Sequence, residues 1–331
     1  MDYDVVVVGG GAAGLSGAVA LARSLRSVLV VDAGEPRNAP AAGVHNYLGR
    51  EGTPPAELYA AGRAEAEGYG VEFARARVTA LAPGFRVTFS TGRVVTARKL
   101  LVTTGLTDEL PDLPGLAERW GRDVLHCPFC HGYEVRGQAI GVLSTGSGMH
   151  QALLFSQLSS DVTLFLHTGD QPTDEEWEQL AARGIAVVDG EVTGLEVADD
   201  RLTGVRLASG RVVARDALVV APRFTANSDL LAGLGLAPEP VEMMGRVVGH
   251  RVPANPMGAT AVPGVYVAGN VADVSAQVVV SAAAGMRAGA ALHGELMQEE
   301  TRAAVERRRV FSAASERELS AALTGARAHG L

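Results

Sequence analysis

Residues 5–32 read VVVVGGGAAGLSGAVALARSLRSVLVVD, and this stretch decides the fold. Residues 5–8 are a β-branched run typical of a buried strand, and residues 15–25 carry apolar side chains at helical spacing. A second apolar run follows at residues 27–31. A glycine-rich turn, residues 9–14, joins the first strand to the helix. The sequence therefore predicts a β-α-β unit, the repeating element of a doubly wound α/β domain.

The turn of this unit has the pattern that binds dinucleotides. Gly9, Gly11 and Gly14 provide a tight bend, a close approach of the backbone to a pyrophosphate, and close packing of the helix. The first N–H groups of the helix point towards the phosphates. Asp32 ends the second strand, where a carboxylate accepts hydrogen bonds from the ribose hydroxyls. Strand, helix and acid together favour a dinucleotide site over a merely structural glycine turn.

Length and charge limit the class of protein. The chain has 331 residues and a formal net charge of −8. At roughly 150 residues per domain it contains about two domains, and its acidity gives no electrostatic footprint for nucleic acid or an anionic membrane. Residues 5–22 are uncharged, but their five glycines and the preceding Asp2 and Asp4 argue against a membrane span or a signal peptide. We expect a cytoplasmic protein.

A second, imperfect copy of the β-α-β pattern occupies residues 139–166. We expect strands at 139–143 and 162–166 with a helix at 150–158 between them. The first and third glycine positions of its turn hold Ser144 and Met149. After the second strand of this unit, no arginine occurs before Arg183 to bind a 2′-phosphate. The sequence predicts that this unit keeps its fold and has lost NADPH binding; the alternative is a divergent loop that still binds NAD(P)H.

Late segments return to the first unit. Residues 264–268 are a predicted strand, and residues 274–290 an apolar, alanine-rich helix. The predicted fold class is α/β, with two doubly wound Rossmann-like dinucleotide-binding domains. The predicted domains are a discontinuous first domain of residues 1–113 and 246–296, an inserted domain of residues 114–245, and a charged helical tail of residues 297–331.

The two cysteines of the chain, Cys127 and Cys130, form a single C-x-x-C pair. Such a pair exchanges with disulfides, because the second thiol resolves the mixed disulfide that the first one forms. His131 and His126 flank the pair as candidate acid–base groups, and hydrogen bonding to a buried carbonyl is the structural alternative, favoured for His126. A zinc site would need a second pair, which the sequence lacks, so no metal is predicted.

These motifs together resemble the low-molecular-weight thioredoxin reductase family of flavoprotein disulfide oxidoreductases. The resemblance extends to about residue 295 and rests on the order of residues 9–14, 103–105, 127–130 and 260–273. It implies FAD in the first domain, a redox-active dithiol in the inserted domain, and a homodimer. It also implies that Cys130 lies against the flavin while Cys127 faces the substrate.

The resemblance further implies a set of FAD contacts in the first domain. They are Gly9, Gly11, Ala12, Ala13, Gly14, Asp32, Asn46, Val78, Thr104, Gly105, Gly269, Asn270, Ala276, Gln277 and Val278. His45, beside Asn46, is a weaker catalytic candidate.

Three departures separate this chain from the reductases that it resembles. The second glycine fingerprint and its arginine are missing, His131 replaces an acidic residue after the second cysteine, and Asn270 replaces an aspartate. The stretch CPFCHGYE, residues 127–134, more closely resembles a branch of dithiol oxidases that close the disulfide of gliotoxin-like and holomycin-like metabolites. That branch implies a small-molecule dithiol and dioxygen as the reaction partners.

Two other functions stay open at this point. One is a thioredoxin-disulfide reductase that takes electrons from NAD(P)H or from a ferredoxin-like protein. The other is a non-catalytic, redox-sensing flavoprotein in which the tail, with its Arg307-Arg308-Arg309 run, contacts a partner. A solvated or dimer-packing helix is the simpler interpretation of that tail.

Overall fold

The structure is a computed structural model that describes residues 2–146, 148–309 and 312–325. Within these residues the strands are β1 Tyr3–Val8, β2 Val28–Asp32, β3 Glu72–Arg75, β4 Val78–Ala82, β5 Arg86–Phe89, β6 Val94–Val102, β7 Leu106–Glu109, β8 Val124–Leu125, β9 Ile140–Leu143, β10 Val162–Phe165, β11 Ala186–Val188, β12 Val192–Ala198, β13 Arg201–Leu207, β14 Val212–Val213, β15 Ala217–Val220, β16 Arg223–Ala226, β17 Glu239–Met243, β18 Arg246–Arg251 and β19 Val265–Val267. The helices are α1 Ala12–Ala22, α2 Pro55–Gly68, α3 Leu116–Arg119, α4 Pro128–His131, α5 Gly148–Phe155, α6 Asp174–Ala182, α7 Val278–Arg309 and α8 Ala313–Gly325.

The first unit is built on a seven-stranded sheet. Its strand order is β3-β2-β1-β6-β5-β4, and β19 pairs with β6 outside this path. The strands β3, β2, β1, β6 and β19 are parallel, while β4 and β5 form an antiparallel meander with β6. The predicted β-α-β unit and the return of the C-terminal segment to it are confirmed.

Helices α1 and α7 pack closely on one face of this sheet because glycines line their contact. A Cβ at Gly285 of α7 would overlap the carbonyl oxygen of Ala13 in α1. Farther along, a Cβ at Gly289 would lie 2.7 Å from the carbonyl oxygen of Gly17. The two backbones therefore approach closely, which brings the start of α7 beside the glycine turn.

The second unit is a five-stranded parallel sheet of order β11-β10-β9-β15-β8. Its core contains Ile140, Leu164 and Val219 from the strands, packed against Phe155 of α5 and Leu180 of α6. The opposite face is covered by the antiparallel strands β12, β13 and β14. The α/β fold class with two doubly wound units is confirmed, although α5 begins at Gly148, two residues before the predicted start.

A four-stranded sheet of order β17-β18-β16-β7 links the two units. After β16 the chain rejoins the first core, in which Leu231 and Leu236 are buried together with Leu81 of β4. The division at residues 245 and 246 stays a prediction for the folding units. The packing nevertheless groups the stretch 226–236 with the first core, since its buried leucines lie in that cluster.

Helix α7 continues through the predicted start of the tail at residue 297. Leu292 and Leu296 are buried in the first unit, and Lys99 lies within hydrogen-bond distance of both Glu295, at 2.6 Å, and Glu299, at 2.5 Å. These contacts stabilise the helix beyond the apolar stretch that predicted it. The tail residues 310–311 and 326–331 lie outside the described residues. Among the helices of the described ranges, none has a stretch long and apolar enough to cross a membrane.

Candidate active site

The glycine turn between β1 and α1 has the shape of a pyrophosphate site. Gly9 adopts a φ of +105°, and its carbonyl oxygen accepts a hydrogen bond from Thr103 Oγ1 at 2.8 Å. A Cβ at Gly14 would overlap this same carbonyl oxygen, so only glycine fits there. At Gly11, the first residue before α1, a Cβ would point into open space. The turn thus leaves room for a phosphate at the start of α1, as the sequence predicts.

Asp32 lies beside this turn at the end of β2. Its Oδ1 accepts a hydrogen bond from the Gly10 N–H at 2.9 Å, and its Oδ2 accepts one from the Gly34 N–H at 3.1 Å. A carboxylate has about four lone-pair positions, so two such bonds orient it and leave acceptors for ribose hydroxyls. The residues around the turn therefore fit the adenosine half of FAD.

Eight further predicted FAD contacts lie around the first sheet. Thr104 Oγ1 donates to the carbonyl oxygen of Asn227 at 2.6 Å, and Gly105 follows it with a φ of +71°. Gly269 packs beside Ala13. Val78 is buried within the core, in register with Phe89, so only its main chain is available to a ligand. The remaining members are Ala12 in the first turn of α1, and Ala276 and Val278 around the start of α7.

Asn270 and Arg37 form a polar link beside the dithiol. Asn270 Nδ2 donates to the carbonyl oxygens of Asp273 and Ala276 at 3.0 and 2.9 Å, and its Oδ1 accepts from Arg37 Nη1 at 3.2 Å. Arg37 also donates to Asp108 through Nε and Nη2, at 2.7 and 2.6 Å. Sequence reasoning missed Arg37 because its partners are 71 and 233 residues away, and no local pattern signals them.

The cysteine pair stands on the one-turn helix α4, which follows strand β8. Cys127 is the residue before this turn, and Pro128 occupies its first position, where a fixed φ and a missing N–H are tolerated. The N–H groups of Cys130 and His131 donate to the carbonyl oxygen of Cys127 at 3.2 and 3.1 Å. Both cysteines are half-buried free thiols. The turn thus places the two sulfurs next to each other.

The surroundings shift the pKa values of the two thiols in opposite directions. Interaction with the Cys130 side chain, then with backbone N–H groups and the Gln277 side chain, lowers the pKa of Cys127 to about 7, although burial opposes this shift. The same interaction and burial raise the pKa of Cys130. Gln277 directly precedes the 32-residue helix α7, whose N-terminal partial positive charge also favours a thiolate. The tertiary structure therefore brings the predicted FAD contact Gln277 to Cys127.

The two histidines beside the pair lie in different surroundings. His126 Nδ1 donates to the carbonyl oxygen of Val220 at 3.0 Å, and its ring packs edge-on against Phe224 with centroids 5.4 Å apart. Burial lowers its pKa. His126 thus makes the hydrogen bond to a backbone carbonyl that was the structural alternative to catalysis, and its acid–base role stays a prediction. Burial also lowers the pKa of His131, and His45 lowers it further, while Glu134 opposes them.

The loop 44–53 of the first unit touches the dithiol turn directly. Asn46 Nδ2 donates to the carbonyl oxygen of Phe129, between the two cysteines, at 2.6 Å. His45 Nε2 lies 3.5 Å from Glu134 Oε1, and His45 Nδ1 donates to Glu51 Oε1 at 2.6 Å. Sequence reasoning picked out His45 and Asn46 but assigned no role to Glu51 or Glu134. The contact with Glu134 forms only when the two units pack together, whereas Glu51 is five and six residues from its partners in an irregular loop that follows no periodic pattern.

The second glycine turn is filled by side chains of this chain. Ser144 is buried, and a Cβ at Gly148 or Gly169 would collide with its side chain. Arg246 of β18 packs over Gly146 and pairs with Asp170. Among the residues that the structure describes, no group of three or more His, Cys, Asp or Glu side chains is placed to hold a metal ion.

Two doubly wound units, a glycine turn that fits FAD and a C-x-x-C pair at the boundary between them define a flavin-dependent disulfide oxidoreductase. Residues 3–285 match the family model "Pyridine nucleotide-disulphide oxidoreductase", and the chain belongs to this family. The predicted resemblance is thereby confirmed, and so is FAD as the cofactor.

Relatives and solved structures agree with this assignment. The chain is 30% identical to "Thioredoxin reductase sirT" of Leptosphaeria maculans over 88% of this chain and 93% of that protein. It is 38% identical to "Thioredoxin reductase tcpT" of Claviceps purpurea, over 49% of this chain and only 54% of that protein. The solved structure "Crystal structure of HlmI" is 44% identical with a TM-score of 0.86, covering 94% of this chain and 98% of that one.

Proposed function

We propose that this protein is an FAD-dependent dithiol oxidase that closes a disulfide in a small-molecule dithiol. The balanced reaction converts one dithiol and one dioxygen into one cyclic disulfide and one hydrogen peroxide. The observation that carries the proposal is the half-buried Cys127–Cys130 pair on a one-turn helix, which Asn46 of the first unit holds through the Phe129 carbonyl oxygen at 2.6 Å.

The cysteine pair performs the exchange with the substrate. In its disulfide form, the Cys127 sulfur is attacked by a substrate thiolate, and Cys130 leaves as a thiol after it takes up a proton. The second substrate thiol then attacks the substrate sulfur of this mixed disulfide and displaces Cys127. A thiol of lower pKa leaves faster. The low pKa of Cys127, about 7, therefore favours release of the cyclic product.

His131 is the acid–base group of this exchange in our proposal. It follows Cys130 directly, and burial keeps its pKa below the ordinary value. A neutral imidazole at neutral pH is able to accept the proton of a substrate thiol and to return it to Cys130. When bound, FAD accepts the electron pair of the reduced cysteines and delivers it to dioxygen.

The second unit supports a reaction without NADPH. Its turn holds Ser144 and Met149 at two glycine positions, and the turn is covered by Arg246, which is already paired with Asp170. A dinucleotide would need to displace this ion pair and the Ser144 side chain. Electrons therefore enter through the dithiol in our proposal.

An anaerobic titration of the holoenzyme tests the proposed direction of electron flow. The flavin absorbance should bleach on addition of dithiothreitol, a small dithiol, and should stay unchanged with NADPH. Readmission of air should restore the absorbance and yield one hydrogen peroxide per dithiol. Rapid bleaching by NADPH would contradict the proposal.

The relatives named thioredoxin reductase favour a second candidate, a thioredoxin-disulfide reductase. It would use the same cysteine pair in the opposite direction. NADPH-dependent reduction of thioredoxin by the holoenzyme would support it over the oxidase. The cytoplasmic location and the homodimer stay predictions under either function.

A further inference from the structure

The loop 44–53, hereafter the His45 loop, is a closed structure organised around Glu51. Its ends pair through the Val44 N–H and the Thr53 carbonyl oxygen at 2.8 Å. Inside it, Glu51 accepts the Asn46 N–H at 3.0 Å and the His45 Nδ1–H at 2.6 Å. His45 is mostly buried, with 20% of its side chain exposed, whereas Glu51 is 67% exposed. The exposed Glu51 carboxylate thus orients the His45 imidazole through its Nδ1–H.

The other face of the His45 loop contacts the dithiol segment on both sides of Cys130 and His131. Asn46 holds the Phe129 carbonyl at 2.6 Å, and His45 Nε2 lies 3.5 Å from Glu134 Oε1. The loop belongs to the first unit, while residues 129 and 134 lie in the predicted inserted domain. His45 therefore stands between two carboxylates, one from each side of the domain boundary, and next to the candidate base.

We propose that His45 is a positioning residue of the dithiol site, which holds the Glu134 carboxylate and thereby keeps the neighbouring His131 imidazole available as a base. This inference rests on the proposed dithiol function. His45 donates its Nδ1–H to Glu51, so its Nε2 pairs with Glu134 at 3.5 Å when that nitrogen also carries a proton. A carboxylate paired with one imidazolium stabilises a second one less well, so His45 and His131 compete for Glu134.

The charged groups acting on His131 come from two elements. On its own segment Glu134 raises the pKa of His131, and from the His45 loop His45 lowers it, with Glu51 behind His45. Without His45, Glu134 would be free to turn towards His131. The imidazole would then hold its proton more strongly and accept a thiol proton less readily.

The test is a titration of His131 in the reduced holoenzyme by NMR of ¹³C-labelled histidine, with the signal assigned through His131→Asn. We expect His45→Asn to raise the titration midpoint of His131 by about half a pH unit or more, and Glu134→Gln to lower it by a similar amount. Glu51 is exposed, so Glu51→Gln should not disturb the core. We expect it to shift the His131 midpoint in the same direction as His45→Asn, by a smaller amount. The matched control, His150→Asn on the exposed side of α5, should leave it unchanged.

Opposite shifts in the His45 and Glu134 variants support the positioning role, since a merely structural defect would not produce them. A His131 midpoint that is unchanged or lowered in both His45→Asn and Glu51→Gln overturns it. Anaerobic bleaching by dithiothreitol, measured on the same samples, tests the oxidase function separately from the role of His45. A wild-type flavin that dithiothreitol does not reduce contradicts the oxidase, whatever the midpoints are; a reducible flavin with unshifted midpoints contradicts only the role of His45.

Discussion

The Gln277 side chain acts on the Cys127 thiol across the boundary between the two units and lowers its pKa. This interaction favours the charged form of Cys127, so its removal should raise the pKa of that thiol. We expect Gln277→Ala to move the midpoint of Cys127 alkylation by iodoacetamide from about 7 upwards by about half a unit to one unit. The measurement is the alkylation rate against pH in the reduced protein, followed by mass spectrometry. Gln179→Ala on the remote helix α6 is the matched control. An equal alkylation midpoint in both variants would show that Gln277 does not lower the pKa of Cys127.

Asn46 holds the dithiol turn through the Phe129 carbonyl, and it does so from a left-handed backbone conformation with a φ of +59°. Asn46→Gly keeps this backbone and removes the bond, which costs about 1 kcal/mol and slows flavin reduction by dithiothreitol about fivefold. Asn46→Asp keeps the shape but places a carboxylate oxygen against the carbonyl, so it should be slower still. Stopped-flow absorbance measures both rates. Two variants as fast as the wild type would show that the bond does not position the turn.

Gly11 and Gly14 of the glycine turn are required for different physical reasons. Gly11→Ala should fold normally and purify with little FAD, because its Cβ enters the space left for a phosphate. Gly14→Ala should lower the free energy of unfolding by about 1–3 kcal/mol as well, because its Cβ overlaps the Gly9 carbonyl. The ratio of flavin to protein absorbance and urea unfolding distinguish the two effects. Gly68→Ala at the end of α2 meets nothing within 4 Å and serves as the control. Full FAD content in Gly11→Ala would place the phosphate elsewhere.

Lys99 is the only lysine of the sequence and is held between Glu295 and Glu299 of α7. Its side chain is only 7% exposed. Lys99→Met leaves Glu295 without its cation and Glu299 with only Arg98, whose Nη2 lies 3.6 Å away. We expect it to lower the free energy of unfolding by about 2 kcal/mol. Lys99→Arg keeps the charge and should lose less. Urea unfolding measures the stability of both variants. Equal stability of Lys99→Met and the wild type would contradict a stabilising role for the contacts of Lys99 with Glu295 and Glu299.

Much of the fold was readable from local patterns. The β-α-β units and the return of residues 265–267 to the first sheet each depend on hydrophobic periods or glycine turns within short stretches. The length of α7 was underestimated, because its second half is polar and is held by Lys99 and by the burial of Leu292 and Leu296. Periodicity carries no information about such partners.

Local sequence is enough to specify the dinucleotide turn, the acid at Asp32 and the C-x-x-C pair, because these features are built from residues close together in the chain. The groups that surround the thiols depend instead on long-range packing. Asn46 meets Phe129 across 83 residues, and Arg37 meets Asn270 across 233. Gln277 reaches Cys127 because glycine-lined packing of α7 on α1 brings the helix start to the dithiol. Such contacts follow from how two separately encoded units pack together, and no spacing within either unit encodes them.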